Sequence, residues 1–123
     1  MKKKVFITRK ISPPCAEMLK GAGLQIETSP FKRIIKREEL LGGVKDAFAV
    51  VSLLTDKIDG EVMDAAGKGL KIVANYAVGF DNIDLEEARK RNILVTNTPD
   101  VLTQAVAEHA LALMMAVARR IVE

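Results

Sequence analysis

The sequence is poor in the residues that form disulfides, metal sites and stacking surfaces for nucleic acid bases. Its 123 residues include one cysteine, one histidine, one tyrosine and no tryptophan. Cys15 therefore has no partner for an intramolecular disulfide, and a reducing compartment is expected. One cysteine and one histidine cannot form the usual zinc site, so no metal site is expected.

Long apolar runs and strong charge are also missing. The apolar run at 110–118 is too short to cross a bilayer. The N-terminal lysines are not followed by a long apolar run, so no signal peptide is predicted. The net charge is only +3, and the basic clusters at 2–4 and 32–37 lack interleaved aromatic residues. These clusters indicate a solvated surface more than nucleic-acid binding. We expect a cytoplasmic domain with no membrane or nucleic-acid partner.

Apolar segments alternate with helix signals along the first hundred residues. Ser12 before two prolines, Asp59 and Asp84 mark helix starts, and a short helix at 37–41 is predicted to stop at two glycines. This spacing predicts βαβ units with right-handed crossovers. The fold class is α/β, a flavodoxin-like five-stranded parallel sheet in the order 2-1-3-4-5 with flanking helices. Its strands are expected at 5–8, 24–28 (an edge strand), 47–54, 70–74 and 93–96.

The last predicted helix is apolar on nearly every side. Thr103 is predicted to cap it. Between positions 105 and 122 every residue is apolar except Glu108, His109, Arg119 and Arg120. Such a helix must be buried on most sides, and one small sheet covers only one face. We therefore divide the chain into a domain at 1–102 and a packing helix at 103–123, which needs a second subunit or a further domain.

The stretch from Asn75 to Asp84 is the strongest candidate for a site. It joins a buried strand to a helix, at the sheet edge where ligands of parallel sheets collect. Gly79 allows the backbone either to approach a ligand closely or to adopt a positive φ. Free backbone N–H groups in a loop without lysine or arginine suit a small anion. An ordinary strand–turn–helix connection is the alternative.

Other chemistry is missing or weak. No Gly-x-Gly-x-x-Gly segment occurs, because Ile26 and Ile72 stand where the two glycine pairs would need a third glycine. Asp56 after the third strand invites comparison with receiver domains, but basic residues replace the acids that these need after the first strand. Glu108 and His109 are adjacent on a helix and do not face each other, so a structural or interface histidine is favoured over a general base.

Three segments in order resemble the D-isomer-specific 2-hydroxyacid dehydrogenases. They are the stretch 75–84, the segment 95–103 (Val-Thr-Asn-Thr-Pro-Asp-Val-Leu-Thr) and the segment 107–113 (Ala-Glu-His-Ala-Leu-Ala-Leu). Within that family the sequence is most similar to glyoxylate/hydroxypyruvate reductases, and next to D-3-phosphoglycerate dehydrogenase. The resemblance implies the flavodoxin-like substrate domain plus the long helix that crosses to the cofactor domain and contributes to a dimer.

The resemblance also implies roles for single residues. The backbone N–H groups of Val78 and Gly79 would hold the carboxylate of a small 2-oxo or 2-hydroxy acid, and Leu53 would line the substrate pocket. Asn75 would shape the loop, and Thr103 would lie near the nicotinamide of NAD or NADP. A homodimer through the last helix, or docking of that helix on a cofactor domain, is expected.

In this family the glycine fingerprint, the catalytic arginine and the acid–histidine pair come later than position 123. The chain is therefore expected to carry no catalytic residue, to bind NAD or NADP poorly alone, and to be inactive alone, as in a truncated product. The alternative is a non-catalytic module for dimerisation or for binding small carboxylates. A remnant that keeps its fold without a role is a third possibility.

Overall fold

The computed structural model describes residues 2–122 as a parallel sheet with helices around it. The strands are β1 Lys4–Ile7, β2 Gln25–Thr28, β3 Ala49–Ser52, β4 Ile72–Asn75 and β5 Leu94–Thr96. The helices are α1 Pro13–Gly21, α2 Arg37–Gly43, α3 Gly60–Ala66, α4 Leu85–Lys90 and α5 Thr103–Ala118. Every strand pair is parallel and the order is β2-β1-β3-β4-β5, so the predicted fold class and strand order are confirmed.

The core lies where the central strands meet α2, α3 and α4. Val50 of β3 and Val73 of β4 are paired in register and completely buried. Val62 and Met63 of α3 and Leu40 of α2 belong to the same apolar cluster. Strand β2, by contrast, is mostly exposed, as predicted for an edge strand. Burial of this apolar cluster is the main force that holds the sheet and these three helices together.

Several helix ends follow the predicted local signals. The carboxylate of Asp59 accepts a hydrogen bond from the Val62 N–H at 3.2 Å, and that of Asp84 accepts from the Glu87 N–H at 2.9 Å. Each carboxylate thereby satisfies a backbone donor of the first turn that has no partner within its helix. Gly67 ends α3 with φ +83°, a conformation that glycine adopts at little cost.

Three predicted helix ends are wrong. Helix α2 continues through Gly43 and does not stop before the two glycines. Gly43 packs so closely against the Phe6 ring that a Cβ there would overlap it, so this position needs glycine for space and not as a stop signal. Helix α5 ends at Ala118, four residues before the predicted end. Its N-cap is Leu102, not Thr103, which is the first helical residue.

Helix α5 is exposed along its whole length. None of its residues is buried and only Ala116 is half-buried, although the sheet was expected to cover one face. Val117 is 77% exposed and Met114 is 69% exposed. Within residues 2–122 no helix is long and apolar enough to cross a membrane. The helix thus presents apolar side chains that the described part of the chain leaves uncovered.

Ion pairs join the three helices that cover the core. Arg37 of α2 pairs with Asp59 at 2.6 Å, and Arg91 pairs with Asp64 of α3 at 2.7 Å and with Glu87 of α4. Burial raises the pKa of Asp59, but the hydrogen bonds from Arg37 and from the Val62 N–H outweigh it and leave that pKa below its ordinary value.

Candidate functional site

The candidate site begins where β3 and β4 end side by side. Ser52 and Asn75 are paired in the sheet register, and their side chains are 0% and 2% exposed. The Ser52 hydroxyl donates to Asn75 Oδ1 at 2.9 Å. This bond fixes the Asn75 side chain at the carboxyl edge of the sheet, where the loop 76–84 begins.

Three successive carbonyl groups of this loop are held by the rest of the protein. Their donors come from the end of β4 and from the segment after β5. The Thr98 N–H donates to the Ala77 carbonyl at 2.9 Å, Asn97 Nδ2 donates to the Val78 carbonyl at 2.8 Å, and Asn75 Nδ2 donates to the Gly79 carbonyl at 2.8 Å.

These bonds determine the direction of the N–H groups in the loop. Every peptide bond in residues 2–122 is trans, so each N–H points opposite to the carbonyl of its own peptide unit. The Val78 and Gly79 N–H groups therefore point away from the neighbouring residues Thr98 and Asn97. Within the described residues neither N–H has a hydrogen-bond acceptor. Two adjacent donors on one side of a loop can bind the two oxygens of a carboxylate.

Gly79 leaves open space beside these donors. Its φ lies outside the left-handed range, so the loop does not use the glycine for a positive φ. A Cβ built on it would meet no heavy atom within 4 Å. The positive φ expected as one role of Gly79 is therefore wrong, and close approach of a ligand stays a prediction.

Leu53 is held at the exit of β3 through both of its backbone groups. Its N–H donates to Asp56 Oδ2 at 2.8 Å, and its carbonyl accepts from Asn82 Nδ2 at 3.1 Å. Asp56 is 4% exposed and also accepts a hydrogen bond from the hydroxyl of Thr8, which follows β1. The half-buried Leu53 therefore has a fixed position beside the loop.

Four of the five residues singled out from the sequence lie together. Hydrogen bonds through the side chain of Asn82 join Leu53, Asn75 and Gly79 into one group. Val78 belongs to it as the residue before Gly79, and its carbonyl is held by Asn97. Thr103 is exposed, its hydroxyl lies 3.5 Å from Asp100 Oδ1, and no bond within residues 2–122 links it to the group. A pocket of about 200 Å³ lies beside the loop, lined by Phe80, Leu85, Val95, Thr96 and Asn97.

The sequence interpretation missed three residues of this group. Asn82, Asn97 and Asp56 each bond to the backbone of the loop or of Leu53. None was given a role, although Asn82 lies within the stretch 75–84. For Asp56 and Asn97 the available signal was a polar side chain shortly after the end of β3 or β5, which a parallel sheet brings to one edge.

The other chemistry considered from the sequence does not form a site. Glu108 accepts a hydrogen bond from Gln104 at 2.8 Å, and no bond joins it to His109 in the described part of the chain. Among residues 2–122 no group of three or more histidine, cysteine, aspartate or glutamate side chains could hold a metal ion.

Comparison with known proteins gives a consistent assignment. The family model for the catalytic domain of D-isomer specific 2-hydroxyacid dehydrogenases matches residues 5–122. The chain is 55% identical to a glyoxylate reductase from Thermococcus kodakarensis and 54% identical to one from Pyrococcus furiosus, over all of this chain and 36% of each relative. It therefore spans about a third of the length of these curated relatives.

Solved structures agree with the sequence matches. A protein from Thermus thermophilus superposes with a TM-score of 0.85 at 45% identity, over 97% of this chain and 38% of that one. The NAD⁺-bound 3-phosphoglycerate dehydrogenase of Entamoeba histolytica superposes with a TM-score of 0.77 at 29% identity, over 94% of this chain and 39% of that one.

Proposed function

Because the chain belongs to the D-isomer-specific 2-hydroxyacid dehydrogenase family and matches its catalytic domain, we propose that it binds the carboxylate of a small 2-oxo or 2-hydroxy acid. The Val78 and Gly79 N–H groups hold the two carboxylate oxygens. Leu53 lines the space that the substrate occupies next to these donors, and Asn75 keeps the loop in shape. The observation that carries this proposal is the pair of outward N–H groups, whose own peptide carbonyls are bonded to Thr98 and Asn97.

We also propose the substrate class and the reaction. Glyoxylate and related 2-oxo acids are favoured, since the similar curated relatives are glyoxylate reductases. The reaction is reduction of the 2-oxo group by hydride from NADH or NADPH, with a proton delivered to the carbonyl oxygen. The contribution of this chain is orientation, because two fixed N–H groups set the angle at which the oxo carbon faces the cofactor.

The residues present do not fit the nicotinamide cofactor by themselves. No glycine-rich strand-to-helix turn that could receive a pyrophosphate occurs in the sequence. The hydroxyl of Thr103, proposed near the nicotinamide, lies 3.5 Å from Asp100 Oδ1 and has no other polar partner within residues 2–122. No step of hydride or proton transfer is therefore assigned to this chain, and we expect no turnover from it alone.

Helix α5 supports a second part of the proposal. Its apolar side chains are more than half exposed at several positions, including Leu111 and Met115. Removing such a surface from water is favourable. We propose that α5 packs against a second copy of this chain or against a cofactor-binding domain.

The carboxylate assignment can be tested by NMR on the ¹⁵N-labelled chain. Oxalate is a suitable probe because it carries the carboxylate of a 2-oxo acid without a reactive aldehyde. We expect saturable shifts at the Val78 and Gly79 amides. The Gly42 and Gly69 amides are internal references, because Gly42 lies in α2 and Gly69 precedes β4, at the end opposite the loop. A Gly79→Pro variant lacks one donor and should bind more weakly. Equal shifts at all four amides would contradict the proposal.

Catalysis is tested separately by oxidation of NADH and NADPH with glyoxylate and hydroxypyruvate. Carboxylate binding without turnover would favour the substrate-binding role over an independent enzyme. Turnover that survives repurification would show that a proton donor and a cofactor site exist within these 123 residues. A non-catalytic carboxylate-binding or dimerisation module remains the second candidate, favoured by the exposed apolar surface of α5.

A further inference from the structure

The side chain of Asn82 connects the exits of two strands to the loop. Its Nδ2 donates to the Leu53 carbonyl at 3.1 Å, to the Asp56 carbonyl at 2.9 Å and to Asn75 Oδ1 at 3.2 Å. Its Oδ1 accepts from Asn75 Nδ2 at 2.9 Å. One amide group therefore contacts the chain after β3 and the last residue of β4.

The bond to Asn75 extends this connection to the proposed carboxylate donors. Asn75 Nδ2 bonds to Asn82 Oδ1 and also to the Gly79 carbonyl. The direction of the Gly79 carbonyl therefore depends on an amide that Asn82 holds in place together with the Ser52 hydroxyl. The peptide unit that carries the Gly79 N–H directly precedes this carbonyl along the chain.

The bond to Leu53 has a different effect. Asp56 holds the Leu53 N–H, and Asn82 holds the Leu53 carbonyl. The Leu53 carbonyl also accepts from the Asp56 N–H at 2.9 Å, so removal of the Asn82 side chain takes away one of its two donors. Because Asn82 bonds on both sides of the site, it sets the spacing between Leu53 and the loop that carries Gly79.

We propose that Asn82 is a positioning residue for carboxylate binding, which holds Leu53 and the Val78–Gly79 donors at the spacing that the acid requires. This assignment rests on the proposed function. Asn82 does not contact the acid and acts through Asn75 and Leu53. Its effect should therefore appear in affinity at Val78 and Gly79, beyond any change in stability.

The fold gives reason to expect that an Asn82 variant remains folded. The backbone of this segment is anchored independently of the side chain, since the Ile58 N–H donates to the Asn82 carbonyl at 2.8 Å and the Asp84 N–H donates to the Ile58 carbonyl at 2.9 Å. The adjacent Ile83 is buried and forms a bridge with Ile58. Truncation at Asn82 leaves these contacts in place.

The test is oxalate titration of the ¹⁵N-labelled chain and of Asn82→Ala, well below the unfolding temperature of each. We expect about tenfold weaker binding in Asn82→Ala, the scale of losing well-placed hydrogen bonds. Gln104→Ala is the matched control, because it removes an exposed amide that bonds only to Glu108, and it should bind as the parent does. If Asn82→Ala fails to fold, Asn82→Gln replaces it, since it keeps the amide but displaces it by one methylene group.

The outcomes separate the two proposals. Binding by the parent with unchanged affinity in the folded Asn82 variant overturns the positioning role and leaves the carboxylate site standing. No response at Val78 and Gly79 in the parent overturns both. A lower unfolding temperature with unchanged affinity would mean that Asn82 is structural only, and it also overturns the inference.

Discussion

Asn97 Nδ2 donates a hydrogen bond to the Val78 carbonyl at 2.8 Å, across 19 positions of the sequence. This bond holds the peptide unit that also contains the Gly79 N–H. The preceding peptide unit, which contains the Val78 N–H, is held by a backbone donor at Thr98. The two proposed carboxylate donors therefore depend on different partners, one a side chain and one the main chain.

Replacing Asn97 with alanine should affect these two donors unequally. The Val78 carbonyl loses its donor, so the peptide can rotate and turn the Gly79 N–H away from the ligand. The Thr98 bond does not involve the side chain and keeps the Val78 N–H in place. We expect oxalate to bind roughly threefold to tenfold more weakly, the scale of one hydrogen bond. In an NMR titration of the variant, the shift that oxalate induces at the Val78 amide should persist, and the shift at the Gly79 amide should become smaller than in the parent. An equal loss at both amides would contradict the peptide-rotation argument.

The paired glycines of α2 predict opposite effects of alanine. A Cβ at Gly43 would lie 2.8 Å from Phe6 Cε1 and closer still to Cζ, whereas at Gly42 it would meet nothing within 4 Å. Phe6 is 3% exposed and has little room to move. We expect Gly43→Ala to cost about 1–3 kcal/mol through overpacking, and Gly42→Ala to stabilise by up to about 1 kcal/mol through helix propensity.

Urea denaturation of both variants checks this prediction. The decisive quantity is the difference between them, because each variant adds the same methyl group to the same helix. Equal free energies of unfolding would mean that the Phe6 ring moves aside without cost.

The sequence was sufficient for the features that depend on local patterns. Alternating apolar runs and helix signals gave the strand order, and Asp59 and Asp84 were recognised as caps because a capping bond spans only three residues. The contacts that shape the site were not recognised. Asn97 reaches Val78 across 19 positions and Asn82 reaches Leu53 across 29. Neither pairing has a local pattern, since each exists only after the strands are aligned.

The error about the end of α2 has a similar cause. Two glycines are a strong stop signal when the helix is considered alone. The Phe6 ring, from a strand far away in sequence, occupies the place where a side chain at position 43 would lie. Tertiary packing thus requires glycine within the helix and overrides the local preference.

Acid should weaken one specific ion pair of α2. The hydrogen bond from Arg33, supported by the Lys36 N–H, lowers the pKa of Glu39 from 4.5 to about 2. A carboxyl whose pKa is lowered by folding stabilises the folded state above its unfolded pKa, and this contribution is lost as the pH falls from about 4.5 towards 2. Both groups are partly exposed to solvent, so the effect is small.

A pair of glutamine variants tests this pH dependence. Glu39→Gln should unfold at a lower urea concentration than the parent at pH 7, and the gap should close as the pH approaches 2. Glu38→Gln is the control, because Glu38 is exposed in the same turn and forms no ion pair in the described residues. A gap that stays constant with pH would exclude the ion pair as its source.

The apolar surface of α5 should make the chain self-associate when nothing else covers the helix. Leu111 and Met114 are three residues apart, so they share one helix face, and they are 58% and 69% exposed. Leu111→Glu combined with Met114→Glu adds charge to that face and should shift the sedimentation coefficient towards that of a monomer. Met18→Glu is the matched control, because Met18 is 76% exposed on α1 and should leave association unchanged. A parent chain that stays monomeric up to millimolar concentration, or an equal effect of Met18→Glu, would contradict self-association through α5. The first of these results would favour a separate domain as the partner of the helix.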